Sequence, residues 1–331
     1  MNYTIKFVEP ECEVVTESDL VRKVEMAYRV CYKSEGLVSE TSKALVQRLT
    51  SSRIPARHTS PLEHAWIKVT TPREYAVAFR WLMRGNEFIT VETANTFVGN
   101  FRAFHDFLIR HTVLRDDAWS SDNAIVRELG NQLHAMYPEV FPSIYTVPGE
   151  VPSTQWKIEE YDSYRTFRIV TTRDILQELA RHRSMSFSVE STRYCNYGNK
   201  GYTFVIPRPY EWTNQIDWSD TDKLLSPTIK HLTTSTDKKA PNSMELIDEE
   251  LPMLDTFLAN CVLTSARYDN AIKNHVSPQE ARMLLPGALK TELFMTGTNE
   301  QWQHFLMLRN TTHAHPMIQY LAKTIATIVN N

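Results

Sequence analysis

The sequence predicts a mixed α/β protein. Alternation of apolar and polar residues, typical of strands, occurs at residues 3–15, 65–69 and 164–170. Segments with helical spacing of apolar residues separate these strands and make up the C-terminal third. The chain has only nine glycines and neither a GxGxxG nor a GxxxxGK[ST] sequence, so a Rossmann unit and a P-loop are disfavoured.

The predicted elements follow in chain order. Ser18 and Asp19 are the expected N-cap of a helix that runs to about residue 32. Further helices are predicted at 42–52, 173–183, 245–275 with a bend at Pro252, 278–285, 299–308 and 314–329. A loop is predicted at 58–63, and a long surface loop with a little helix at 214–242. Residues 70–162 are predicted to be mixed helical pieces that end in a connector containing Pro138, Pro142, Pro148 and Pro152.

One weak internal similarity is present. Residues 93–108 (TANTFVGNFRAFHDFL) can be aligned with residues 291–306 (TELFMTGTNEQWQHFL), with a Thr, a Gly and a Phe-Leu pair in common. On pattern alone, chance similarity between two amphipathic helices explains this match.

Composition excludes several classes of protein. The 331 residues carry a formal net charge of −3, so no global attraction to nucleic acid or anionic membrane is expected. The four cysteines are scattered, which predicts neither a zinc site nor another metal site and fits a reducing compartment. No apolar stretch approaches the roughly 20 residues that cross a bilayer, and the acidic N-terminus does not resemble a signal peptide. We therefore expect a cytoplasmic protein.

Residues 180–196 (ARHRSMSFSVESTRYCN) concentrate the polar chemistry of the chain. They contain Arg181, His182, Arg183 and Arg193, with Glu178 and Glu190 as the nearby acids. Five hydroxyl side chains accompany them: Ser184, Ser186, Ser188, Ser191 and Thr192. Guanidinium groups and hydroxyls suit phosphates and the edges of pyrimidines. The alternative is a solvated basic helix end, since cations are favoured at helix C-termini.

The spacing within this segment resembles a family signature. Ser191 follows Arg181-His182-Arg183 after seven intervening residues, as in the flavin-dependent thymidylate synthases. Other segments are similar to family motifs in the same order along the chain: 27–34 (AYRVCYKS), 58–64 (HTSPLEH), 191–197 (STRYCNY), 281–292 (AR, LP and KTE), 304–309 (HFL and LR) and 313–316 (HAHP). The resemblance implies an α/β fold with a small, mostly antiparallel sheet flanked by helices, and one domain over 1–331 with an insertion at about 70–162.

The resemblance also implies roles for individual residues in the reductive methylation of dUMP. Arg309 is the candidate catalytic residue, because the family's arginine at this position assists ionisation of the pyrimidine. A guanidinium there stabilises developing negative charge and does not act as a base. The implied dUMP-binding residues are Glu178, Arg181, Ser191, Thr192, Arg193, Arg282 and Arg309.

The implied cofactor is FAD, with methylenetetrahydrofolate and NAD(P)H, most simply NADPH, as co-substrates. Hydride and one-carbon chemistry then belong to these molecules, so no nucleophilic cysteine is needed. Cys195 is therefore expected to be structural. The implied FAD-binding residues are Ser60, Glu63, Arg181, His182, Arg183, His304 and His313. The family also implies a homotetramer.

The chain departs from the family at Thr298-Asn299-Glu300, where an Asn-x-Arg sequence is usual. Asn100 and Arg102, within the inserted region, match the missing sequence. One hypothesis is that the insertion is a partial duplicate whose Asn100 and Arg102 replace the lost flavin contacts. The alternative is that the insertion packs on the surface and Glu300 faces solvent. Val189 also stands where Gln or Glu is common.

Two other functions are compatible with these residues. An Arg-rich segment with aromatic neighbours could bind single-stranded nucleic acid, although the negative net charge and the shortness of the cluster argue against this. A catalytically inactive paralogue is compatible with the Glu300 departure. Flavin colour and dTMP formation distinguish the three possibilities.

Overall fold

The computed structural model describes residues 4–38, 43–51, 58–86, 88–112, 121–141, 155–234 and 252–330. Within them lie the strands β1 (Ile5–Val8), β2 (Glu11–Val14), β3 (Trp66–Thr70), β4 (Ile89–Val91), β5 (Thr96–Asn100), β6 (Lys157–Glu160), β7 (Tyr164–Thr172), β8 (Ser186–Val189), β9 (Tyr202–Val205) and β10 (Lys290–Thr298). The α-helices are α1 (Leu20–Tyr32), α2 (Lys43–Ser51), α3 (Ala76–Leu82), α4 (Phe101–Thr112), α5 (Ser121–Met136), α6 (Arg173–Leu179), α7 (Tyr197–Lys200), α8 (Thr221–Thr234), α9 (Met253–Lys273), α10 (Pro278–Ala281), α11 (Asn299–Arg309) and α12 (Pro316–Val329).

The strands form two antiparallel four-stranded sheets and one parallel pair. The sheet orders are β2-β7-β10-β8 and β4-β5-β3-β6, and β1 pairs with β9. The predicted fold class, α/β with mostly antiparallel strands flanked by helices, is confirmed. There are two such sheets because the region between β3 and β7 supplies strands of its own.

Helix α1 starts where the sequence predicts. The Asp19 side chain accepts hydrogen bonds from the backbone N–H groups of Val21 and Arg22, and so satisfies donors that the first turn leaves free. The helix ends at Lys33, which adopts a left-handed conformation with φ 52°. The Cys31 carbonyl then accepts a 2.9 Å hydrogen bond from the Ser191 N–H, which holds the end of α1 against the signature segment.

Strand β10 shows where the prediction of a wholly helical C-terminal third is wrong. It lies between β7 and β8, and its residues are buried except for the two terminal positions, which are half-buried. A strand buried on both faces has no alternation of apolar and polar residues, so periodicity does not reveal it. Thr298 ends the strand and caps α11 in a reciprocal pair with Gln301.

Other predicted boundaries also need correction. The region predicted as helical pieces contains β4, β5 and β6 between its helices, and strands β8 and β9 were missed as well. The first alternating segment forms two strands rather than one. The helix predicted at 173–183 ends at Leu179 because residues 180–185 turn toward β8. Pro252 is the N-cap of α9 rather than a bend, and α8, with 14 residues, is longer than the little helix predicted within the loop at 214–242.

Some predictions fall on residues outside the described ranges. These are the proline connector at 142–154, the end of the predicted loop at 235–242, and the start of the predicted helix at 245–251. None of the helices in the described ranges is long and apolar enough to cross a membrane.

One apolar core fixes helix α11 against the first sheet. Phe167 of β7, Met295 of β10, Trp302 of α11 and Ile318 of α12 are all fully buried in one cluster. The Trp302 indole N–H donates a 3.0 Å hydrogen bond to the Arg165 carbonyl. The direction of α11 is therefore set by the sheet, and its last residue, Arg309, is positioned accordingly.

Candidate active site

Arg309 is held by three hydrogen bonds at the C-terminal end of α11. Its Nε donates to His182 Nε2 at 3.0 Å, one terminal nitrogen donates to the Glu178 carboxylate at 2.9 Å, and the other donates to the Glu178 carbonyl at 3.1 Å. A guanidinium has five N–H donors, so two remain for a ligand. The structure thus brings together three of the predicted site residues.

His182 is neutral within this group. Burial, followed by electrostatic interaction with Arg309 and His304, lowers the pKa of His182 to about 4. Since Arg309 can only donate, His182 Nε2 must accept, and the ring proton is on Nδ1. The ring packs edge-on against Phe305, with centroids 4.9 Å apart, which fixes its plane.

The other predicted residues beside this group are exposed. Arg181 lies 3.5 Å from the Glu178 carboxylate, yet 69% of its side chain is accessible. Arg183, His304 and His313 are exposed as well. This surface presents exposed arginine and histidine donors next to the buried His182 and the half-buried Arg309, so it suits a ligand with negative charge.

A second group contains Arg193 and its neighbours. The Arg193 N–H donates to the Ser191 hydroxyl at 3.3 Å, and its Nε donates to Gln279 at 3.2 Å. Gln279 lies on α10, three residues before the half-buried Arg282. Ser191 and Thr192 are half-buried between them and α1. In the described part of the chain, no hydrogen bond or ion pair joins Arg193 or Arg282 to Arg309.

A third group lies in the second sheet and the short 3-10 helix Ser60–His64 that precedes β3. Arg102, in the first turn of α4, forms an ion pair with Glu63 and a second, at 3.4 Å, with Asp106. The Asn100 side chain is buried and accepts a hydrogen bond from the Ala103 N–H at 2.9 Å, so it caps α4. Ser60 lies at the start of the 3-10 helix.

His64 connects the third group to the first sheet. Its two ring nitrogens contact the hydroxyls of Thr296 in β10 at 2.6 Å and Ser188 in β8 at 2.9 Å. The His64 ring is fully buried, and burial lowers its pKa to about 3. His64 belongs to the HTSPLEH motif, but sequence reasoning gave it no role because a contact across two sheets leaves no local signal.

A buried ionic network, also missed from the sequence, lies beneath the second group. Lys290 contacts Glu190 at 3.1 Å and Glu292 at 2.7 Å, and Glu292 accepts from Arg168 at 2.6 Å. Glu190 also accepts a 2.8 Å hydrogen bond from Tyr197. Burial opposes the charge on Lys290, but the two glutamates outweigh burial and raise the pKa of Lys290 above its ordinary value. The network fixes the chain directly before Ser191.

We expect His64 to make stability depend on pH. The folded state holds His64 neutral with a pKa of about 3, whereas the unfolded chain protonates it near pH 6.5. Below pH 6.5 the unfolded state therefore gains a proton that the folded state does not, which costs about 1.4 kcal/mol per pH unit until the folded pKa is reached. In urea unfolding at pH 6.5, 5.5 and 4.5, the wild type should lose stability by this extra slope relative to His64→Gln. Parallel curves for the two proteins would contradict it.

The chain matches known proteins over most of its length. The family model described as "Thymidylate synthase complementing protein" matches residues 158–331. A flavin-dependent thymidylate synthase of Mycobacterium bovis is 26% identical over 216 residues, which cover 62% of this chain and 76% of that protein. The corresponding protein of Mycolicibacterium gilvum is 26% identical over 215 residues, with the same coverage.

Two solved structures align with the chain at low similarity. The UMP/dUMP methylase PolB from Streptomyces cacaoi bound with 5-Br dUMP has a TM-score of 0.36 and 15% identity, over 98% of this chain and 91% of that one. The flavin-dependent thymidylate synthase ThyX of Helicobacter pylori, complexed with FAD and dUMP, has a TM-score of 0.32 and 18% identity, over 78% and 89%.

The family model and the mycobacterial relatives define the class of protein as an enzyme, a methyltransferase. An Arg-His-Arg segment held by a helix-terminal arginine stands in the half of the chain that the family model covers. The chain belongs to the flavin-dependent thymidylate synthase family.

Proposed function

We propose that this protein converts dUMP to dTMP by reductive methylation, with methylenetetrahydrofolate as the one-carbon donor, reduced FAD as the hydride donor and NAD(P)H as the reductant. The observation that carries the proposal is the Arg309 guanidinium, which His182 and Glu178 hold in one orientation beside the exposed Arg181. A bound flavin would supply the hydride, which no side chain of the protein can provide.

Arg309 is the proposed catalytic residue. Reaction at C5 of uracil places negative charge on the ring, and a fixed guanidinium stabilises that charge without reorganising. The two N–H groups of Arg309 that the protein leaves free can point at a ring oxygen and the ring N3. Neutral His182 adds no competing positive charge and acts as an acceptor that orients Arg309.

The second group is proposed to bind the rest of dUMP. Arg193 is exposed, and Gln279 restrains it, so its guanidinium can form a bidentate contact with a phosphate. The Ser191 and Thr192 hydroxyls and Arg282 lie on the segments that flank it. With Glu178, Arg181 and Arg309 these residues form the proposed nucleotide site. Among the described residues, no hydrogen bond or ion pair joins Arg193 or Arg282 at one end of this proposed site to Arg309 at the other, which is consistent with a site completed by self-association.

The exposed donors Arg181, Arg183, His304 and His313 fit an anionic cofactor such as FAD, together with Ser60 and Glu63. His182, which is buried and neutral, is proposed to contact the flavin ring rather than its phosphates. The third group supports the replacement hypothesis. Arg102 stands in the first turn of α4, where the helix dipole disfavours a cation, and two acids compensate it.

Glu300 is explained by the same effect. It is exposed in the first turn of α11, where the helix dipole favours a carboxylate. In α11, Glu300 replaces the family's arginine, and the helix dipole favours its negative charge. In α4, the corresponding position holds Arg102, whose positive charge the helix dipole disfavours. We propose on this basis that Asn100 and Arg102 lie on the flavin side of the site.

The assembly and compartment are also proposals. Exposed apolar side chains, including Met283 at 83%, Tyr194 at 63% and Met307 at 63%, favour self-association, and the family resemblance favours a homotetramer. A cytoplasmic location follows from the scattered, unpaired cysteines.

The function is tested by incubating the purified, flavin-loaded chain with dUMP, methylenetetrahydrofolate and NADPH. We expect dTMP by chromatography and release of tritium from [5-³H]dUMP, with UMP as a parallel substrate. A flavin-loaded protein that releases no tritium and forms no dTMP would contradict the proposal and favour an inactive paralogue.

Replacing Arg102 by alanine should weaken flavin binding about tenfold or more, since charge-assisted hydrogen bonds contribute about 1.5–3 kcal/mol. The measurement is the dissociation constant of FAD, from flavin fluorescence during titration of stripped protein. Lys157→Ala is the matched control, because it removes a cation from an ion pair on β6, in the sheet that packs with α4. Equal FAD affinity in both variants would favour the alternative that the insertion only packs on the surface.

A further inference from the structure

The two sheets repeat one arrangement of strands and helices. In the first unit, β3 is followed by α3 and then by the edge strand β4. Strand β5 then lies between β3 and β4 in the sheet and continues into α4. In the second unit, β7 is followed by α6 and then by the edge strand β8. Strand β10 then lies between β7 and β8 in the sheet and continues into α11. The corresponding orders are β4-β5-β3 and β8-β10-β7, with every pairing antiparallel.

The central strands of the two units also match in register. Gly99 and Gly297 lie near the ends of β5 and β10, and a Phe-Leu pair follows eight residues after each glycine. Each glycine lies close to a side chain in or directly before the neighbouring edge strand. A Cβ would lie 2.9 Å from Ile89 at Gly99 and 2.5 Å from Met185 at Gly297. The expectation that the internal similarity is chance between two helices is therefore wrong, since it spans a strand and a helix in both copies.

The two copies differ in the groups at their sites. Twelve residues after the glycine, the second unit has Arg309 and the first has His111. Three residues after it, the second unit has Glu300 and the first has Arg102. In the second unit Arg309 is bonded to the neighbouring segment that follows α6, whereas in the first unit an open cavity lies between α4 and the segment that follows α3.

This cavity carries unbalanced positive charge. Its volume is about 260 Å³, and Arg84, Arg102 and Arg110 line it. Glu63 and Asp106 both pair with Arg102. Arg84 and Arg110 form no side-chain hydrogen bond or ion pair with any residue in the described ranges, and both are exposed. Within the part of the chain that the structure describes, these two guanidinium groups therefore have no paired counter-charge, while Glu63 and Asp106 in the same lining pair with Arg102.

Aromatic side chains complete the lining. Phe88, which is 64% exposed, and the buried Phe107 both line the cavity. A planar base can stack on an exposed ring, and two arginine forks match a diphosphate in both charge and geometry.

We infer that the cavity of the first unit binds a nucleoside diphosphate group. Two sources offer this chemistry: the adenosine diphosphate half of FAD, in which case the inference rests on the proposed function, and a free nucleotide. In either case the first unit is a ligand site. It has a diphosphate pocket and lacks the helix-terminal arginine that the second unit has at Arg309.

ADP is the probe, and calorimetric titration of the full-length protein is the measurement. Flavin-stripped wild type should bind ADP, and Arg84→Ala/Arg110→Ala should bind it at least about tenfold more weakly. Arg73→Ala, which removes an exposed arginine of the same unit that does not line the cavity, should bind as the wild type does.

The flavin-loaded protein identifies the source. Loss of ADP binding on loading with FAD assigns the pocket to the cofactor, and unchanged ADP binding assigns it to a free nucleotide. The inference is overturned if stripped wild type does not bind ADP, or if the double variant binds it as Arg73→Ala does. These outcomes are independent of dTMP formation, so failure of the proposed function and failure of this inference are distinguishable.

Discussion

Replacing Arg309 by lysine should lower kcat/KM for dUMP methylation by about 10²–10³-fold, the usual cost of removing one preorganised donor to a developing oxyanion. Lysine keeps the charge, but a single ammonium group cannot contact His182, the Glu178 carboxylate and the pyrimidine together. Most of the loss should appear in kcat, because the charge on the ring develops only in the transition state.

The control for this experiment is Arg267→Lys, on the exposed side of α9. It should retain wild-type kinetics. The flavin absorption spectrum and the unfolding midpoint of Arg309→Lys should both match the wild type, which separates a catalytic role from a structural one. A variant with wild-type kcat, or one that loses activity only because it loses flavin, would contradict the catalytic assignment.

The sequence predicts the components of this site better than their arrangement. Ordered motifs identify Arg181, His182 and Arg309 although 126 positions separate the last two from each other in the chain. The motifs do not show that the carboxylate and the backbone carbonyl of Glu178 both accept hydrogen bonds from Arg309. Such a contact depends on how α6 meets α11, and that packing comes from the shared apolar core.

The errors in the fold have a similar origin. Sequence periodicity shows which face of an element is exposed to solvent. It therefore identifies α1 and misses β10, which has no solvent-exposed face. The internal repeat can be seen in the sequence, where Gly99 aligns with Gly297. That each copy forms the same set of strands cannot be seen there, because the strand order depends on pairing between segments that are distant in the chain. The ionic network around Lys290 is hidden for the same reason, because its members come from four separate segments.

Replacing Lys290 by methionine should destabilise the protein by up to about 3–5 kcal/mol, since the fully buried Glu190 carboxylate then keeps only Lys33, at 3.6 Å, as a cationic partner. Because the pKa of Lys290 is raised, its stabilisation is fully present below pH 10.5 and is lost only as pH rises through the folded value. The deficit of the variant should therefore be constant from pH 6 to 9 in urea unfolding.

A double-mutant cycle distinguishes an unpaired charge from a simple loss of packing. Adding Glu190→Gln to Lys290→Met removes the buried carboxylate charge, which only Lys33 then offsets, while the amide still accepts from Tyr197, so the double variant should be more stable than Lys290→Met alone. Lys273→Ala, which breaks an exposed pair with Asp269, should cost no more than about 1 kcal/mol. If the double variant is less stable by the sum of the two single effects, the network contributes packing alone, and the segment before Ser191 is not held by its charges.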